Sequence, residues 1–119
     1  KKQGRYSFSN RTKQSLTDII KSDELVLPKS TRLALIYLYT FCRLDFISNN
    51  HYQDFLKVSK NTTLSDIQSL RKIMLDNDLE LGYSRAKGYT LHGSEWNKHR
   101  LAFQMVSELL EYVSSSLGY

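Results

Sequence analysis

The sequence predicts a mainly helical α+β domain that carries one two-stranded β-hairpin, and three observations support this. Ser59 stands directly before a stretch, 60–77, in which Thr63, Ile67, Leu70 and Met74 fall on one helical face. A serine there can cap a helix, because its hydroxyl accepts a bond from an otherwise unpaired first-turn amide. Leu79–Ser84 and Tyr89–Gly93 then alternate with period two around Arg85-Ala86-Lys87-Gly88, a turn whose glycine can take positive φ. Finally, Pro28, the only proline, opens an apolar helix over about 29–45, since proline loses no hydrogen bond in a first turn. A capped helix running straight into a hairpin is the order of a winged helix-turn-helix, with the hairpin as its wing. The chain divides accordingly into a lead-in (1–26), a winged helix-turn-helix (27–93) and a C-terminal linker helix toward a further domain (94–119).

In the lead-in, Gly4–Phe8 alternates like a short strand. It is the last strand of a preceding, truncated winged domain, or else a lone N-terminal strand or disordered arm. Arg11 to Lys21 places Leu16, Ile19 and Ile20 on one face, a short amphipathic helix broken at Ser22-Asp23-Glu24. The helix after Pro28 is apolar nearly all round, with Leu33, Ile36, Tyr37, Phe41 and Leu44 in one stripe and Leu35, Leu38 and Cys42 beside it. That is the pattern of a central core element. Ile47 to Asn50 reads as a loop with two capping candidates, and His51–Lys57 as a short helix burying Tyr52, Phe55 and Leu56. The final helix, Ser94 to about Val113, has two apolar stripes. One is Trp96, Phe103, Leu110 and Leu117; the other is Ala102, Met105, Val106, Leu109 and Val113. One small domain rarely buries both, so the second suggests a dimer contact or a downstream domain, and 114–118 is expected to fray.

Charge points to an anionic partner, though unevenly. The net charge is +5, yet residues 1–43 hold nine positive and three negative side chains while 44–119 hold eight and nine. The single cysteine, Cys42, excludes an internal disulfide and lies in an apolar run, where a buried inert thiol is expected. Leu33 to Leu44 is far shorter than the roughly 20 residues of a membrane span. No signal-peptide pattern is present and the chain opens on Lys1, so it reads as a cytoplasmic piece of a longer protein. No phosphate-binding glycine loop, nucleophile elbow or two-histidine metal spacing appears, and His51, His92 and His99 fall on separate elements. Neither an enzyme nor a cofactor or metal is expected.

The ordered set Ser59, Thr62, Asp66, Ile67, Gly88, Tyr89, Leu91, Gly93, Glu95 and a slightly displaced Arg100 resembles a known pattern. It is that of the second, Mga-like winged domain of bacterial sugar-operon activators with phosphotransferase-system regulation domains, the lichenan and mannitol operon activators among them. Leu27-Pro28-Lys-Ser-Thr-Arg32 is similar to the start of that domain's first helix, and the likeness spans about 27–100. It implies a transcription regulator with downstream regulation domains, for which the last helix would be the connector. The phosphorylated histidines of that family belong to those other domains, so none is carried over. Two positions depart from DNA-reading relatives: Leu64 stands where a polar or basic residue is common, and Lys60 where arginine is, keeping charge without bidentate geometry.

On this reading the 60–77 helix enters a major groove of double-stranded DNA. Lys60, Asn61, Ser65 and Gln68 face base edges or phosphates, Leu64 touches a thymine methyl, and Ser59 caps the helix and offers its amide to a phosphate. Lys57, Lys72, Arg85 and Lys87 bind the phosphate backbone. A homodimer is expected, and a membrane is not. Asp66 is expected to be structural, bonding a helix end or pairing with Arg71 or a nearby lysine, and Tyr83 and Tyr89 to pack across the hairpin. The competing reading is a winged-helix interaction or dimerisation module with little DNA affinity. RNA binding fits less well, because the antiterminators that share the regulation domains use a small all-β dimer for it.

Overall fold

The computed structural model describes residues 27–43 and 45–117. The expected strand at Gly4–Phe8, the expected helix at 11–21 and the place of Leu44 lie outside them. Four helices and one hairpin follow in chain order: α1 (Lys29–Cys42), α2 (Asn49–Leu56), α3 (Lys60–Asp76), β1 (Glu80–Ser84), β2 (Gly88–His92) and α4 (Glu95–Leu117). β1 and β2 pair antiparallel, with Tyr83 opposite Tyr89 and Ser84 opposite Gly88. Between α1 and α2 the chain meets the hairpin where Ile47 bridges Gly88 and its carbonyl accepts from the Tyr89 amide at 2.9 Å. The result is the expected mainly α fold, a winged helix-turn-helix with a two-stranded wing and a long C-terminal helix.

The core forms where α1 meets the other elements. Ile36 and Tyr37 of α1, Ile47, Tyr52 of α2 and Leu70 and Met74 of α3 are all fully buried. Each such side chain contributes about 1.5–3 kcal/mol relative to exposure. Leu101, Ala102 and Met105 bring α4 into the same cluster. Two tyrosine hydroxyls reach into it and find partners. Tyr37 donates to the Lys98 carbonyl of α4 at 2.8 Å. Thr40 donates to the Ile36 carbonyl at 2.8 Å, so Tyr52, 2.6 Å away, donates to the Thr40 oxygen.

Those buried hydroxyls make stability fall in alkali. Burial, helped by the negative charge of Glu95, pushes Tyr37 up to about 12, and burial also raises Tyr52. Both phenols ionise more readily in the unfolded chain, near the ordinary value of about 10. Their contribution is therefore complete below about pH 10 and is lost as pH rises toward the folded values, at up to about 2.7 kcal/mol per pH unit for two groups. Urea midpoints should hold steady from pH 8 to 9.5 and then drop, with a shallower drop for Tyr37→Phe. A midpoint unchanged through pH 11 contradicts this.

Several boundaries and burials differ from the sequence expectation. α1 ends at Cys42 rather than about 45, since Arg43 is extended and pairs with Asp45. Cys42 is exposed, not buried, because it projects half a turn away from Leu33, Ile36, Tyr37 and Thr40. α2 begins two residues early. Its cap is Ser48, with the His51 ring nitrogen accepting from the Ser48 amide at 2.9 Å. α4 continues through the serines to Leu117 instead of fraying, as no glycine or proline interrupts it before Gly118. Its two stripes also exchange roles. Ala102 and Met105 are buried, whereas Trp96, Phe103 and Leu110 lie open.

Candidate nucleic-acid interface

α3 is held from both sides. At its start Ser59 is extended and its oxygen accepts from the Thr62 amide at 3.2 Å, the expected cap. At its end Asn77 and Asp78 turn the chain, Asp78 in the left-handed region, and the Leu79 amide returns to the Met74 carbonyl at 2.8 Å. Thr63, Ile67, Leu70 and Met74 face inward as expected, together with Asp66, which has no exposed surface. That carboxylate is answered from α1. Arg32 Nε donates to Oδ2 at 2.6 Å and Nη2 to Oδ1 at 3.1 Å, while Nη1 donates to the Leu27 carbonyl at 2.8 Å. Lys29 Nζ stands 3.7 Å from the same carboxylate. Asp66 is thus structural as expected, but its partner is Arg32, not Arg71.

The opposite side of α3 carries the residues expected to meet DNA. Lys60, Asn61, Leu64, Ser65, Gln68 and Lys72 are all exposed. Lys57 is exposed just ahead of them, where φ of +59° ends α2. The charge of this region differs from the bulk count of 44–119. From Lys57 to Lys72 there are four cations, Lys57, Lys60, Arg71 and Lys72, and a single carboxylate, Asp66, which is buried and paired. The exposed acids Asp76, Asp78 and Glu80 gather at the far end of α3 and the start of β1. A cationic face therefore runs along the N-terminal two thirds of the helix. Lys29 extends it, donating to Ser65 Oγ at 3.3 Å. Sequence reasoning missed Lys29 because the pairing crosses 36 positions; the proximity of Arg32 to Asp66 was equally silent.

Leu64, Ser65 and Gln68 line a shallow depression of about 570 Å³ with Ile67, Arg71 and Tyr89 of β2. Tyr89 packs against Tyr83 across the hairpin at 4.8 Å and against Tyr52 at 5.3 Å, so the hairpin-packing expectation holds. This pair joins the outer face of α3 to the wing. The turn residues Arg85 and Lys87 are exposed, with the Lys87 amide bonded to Ser84 Oγ at 3.0 Å, and neither lines the α3 depression. Lys87 instead opens into a second groove of about 660 Å³ with Arg43, Asp45, Phe46 and Lys98, which Tyr89 also borders. There the Asp45 carboxyl is held below the usual range by the Arg43 guanidinium, whose Nε and Nη2 each donate to it at 2.9 Å. The two depressions share Tyr89.

Among the described residues no three His, Cys, Asp or Glu side chains converge on a point where an ion could sit. No helix among them is long and apolar enough to cross a membrane. Scans of family models, curated proteins and solved structures find no match to the chain.

Proposed function

We propose that this chain is the DNA-contacting winged domain of a cytoplasmic bacterial transcription regulator, of the kind that governs sugar uptake through phosphotransferase-system regulation domains. The observation that carries the reading is the outer face of α3. Over 57–72 it is cationic because the one carboxylate of that stretch, Asp66, is turned inward and neutralised by Arg32. A helix with such a face, placed after a capped turn and before a wing, suits a major groove. Lys57, Lys60, Arg71 and Lys72 would meet phosphates; Asn61, Ser65 and Gln68 would offer donors and acceptors to base edges; Leu64 would offer methyls. Arg85 at the wing tip would take the flanking backbone, with Lys87 beside it. The ordered residues Ser59 through Glu95 supply the link to sugar-operon activators.

The second reading, a protein-interaction module, is favoured by two leucines on the same face, Leu64 at 43 % and Leu75 at 64 % exposed. Salt separates the two. Neutralising phosphates releases counterions, so duplex affinity should fall steeply and log-linearly with salt. Replacing Lys60 and Arg85 together with alanine should weaken binding on every duplex and lower the salt slope by about 2. Fluorescence anisotropy with a labelled duplex pool at low salt checks this. Folded protein that binds no duplex sinks the DNA reading and leaves the interaction module.

A further inference from the structure

α4 carries a row of large apolar side chains that nothing among the described residues covers. Trp96 and Phe103 are each 75 % exposed, Leu110 45 % and Val106 37 %. Their spacing is regular. Trp96, Phe103 and Leu110 recur every seventh residue and Val106 stands three beyond Phe103, which is how helices that pair side by side place their seam. The two aromatic rings alone present roughly 300 Å² of open surface. Apolar patches of that order on a monomer mark contact with a partner.

We propose that this row is where two copies of the chain pair, α4 against α4 and parallel. Charge fits this arrangement. With Trp96, Phe103 and Leu110 on the seam, Glu95 and Arg100 take the flanking positions five residues apart. Glu95 of one copy then faces Arg100 of the other, twice by symmetry. Both can exchange partners. Glu95 is exposed, with Lys98 at 3.3 Å and His99 at 3.9 Å, and among the described residues Arg100 donates only to Asn97, at 3.3 Å. The antiparallel alternative, with Trp96 set against position 113, would hold Glu95 of one copy and Arg100 of the other roughly 20 Å apart and leave them unpaired across the seam.

The size is sufficient. Two copies that close over these four side chains and their flanks remove on the order of 1,000 Å², the lower bound of specific interfaces. The helices need no ordering first, because Leu101, Ala102 and Met105 already anchor α4 in the core. This pairing does not depend on α3 meeting DNA, and its test is run without any.

Trp96 is the only tryptophan, so its emission reports directly on the row. The 119-residue chain should sediment as a dimer, and its emission should shift to the blue as concentration rises through the association range. Phe103→Gln, at a surface position, should keep the helical circular dichroism and weaken association at least tenfold. Leu110→Cys in a Cys42→Ser background should form an interchain disulfide under mild oxidation. In an antiparallel pair those two positions would lie roughly 16 Å apart and could not bridge. A monomer at all concentrations overturns the proposal, as does undiminished pairing of the Phe103→Gln variant or a dimer that forms no disulfide. Emission that is blue-shifted regardless of concentration overturns it too, by placing the cover within one chain.

Discussion

Replacing Arg32 with methionine should lower the unfolding free energy by about 3–5 kcal/mol, because it strands a buried carboxylate. Asp66 has no exposed surface, and the Arg32 fork supplies its two shortest contacts. Lys29, at 3.7 Å and half exposed, can approach only part of the way, which sets the cost toward the lower end of that range. The pair itself is a different matter. Exchanging both partners for apolar residues of similar volume, Arg32→Met with Asp66→Leu, should recover most of the loss, since the desolvation of two charges offsets their attraction. Urea unfolding of the two single variants and the double variant gives the coupling directly. If Arg32→Met alone costs under about 1 kcal/mol, the carboxylate is not sealed as described.

The second large effect is expected at the crossing of the wing and the segment before α2. Gly88 has φ of +74°, and a Cβ there would lie 2.3 Å from the Ile47 carbonyl oxygen and 2.8 Å from its nitrogen. Both neighbours are backbone, and Ile47 is wholly buried, so neither segment can yield cheaply. Gly88→Ala should cost about 2–4 kcal/mol through strain and displacement together. Gly82 supplies the control: its Cβ would meet mainly the His92 side chain, which can swing away. Gly82→Ala should therefore cost under about 1 kcal/mol. Equal midpoint shifts for the two variants would mean that the crossing is looser than drawn.

The parts that sequence made legible are those whose cause is local. The Ser59 cap, the inward row Thr63, Ile67, Leu70 and Met74, and the Tyr83–Tyr89 hairpin each depend on neighbours a few residues apart, and each appears within a residue or so of its expected place. The candidate site was legible only in part. Which α3 residues face outward follows from helical period, and the structure agrees on every one. That Asp66 answers to Arg32, 34 positions away, follows from no periodicity. Both stripes of α4 are apolar, and which one turns inward is settled only by tertiary packing, which takes Ala102 and Met105 into the core. Cys42 shows the same limit at smaller scale: an apolar run does not say on which side of a helix its last residue lands. The wing tip was placed correctly in sequence, but the turn of Lys87 toward the second groove depends on how the hairpin rests against Ile47.

One consequence concerns mechanics. α1 is fastened near its beginning to α3 by Arg32 and Asp66, and midway to α4 by the Tyr37 hydroxyl on the Lys98 carbonyl. A pull or twist delivered along the C-terminal rod would therefore arrive at the cationic helix through one stiff intermediary instead of dissipating in a slack connector. Any such displacement would reach α3 by way of two polar clasps on a single strut.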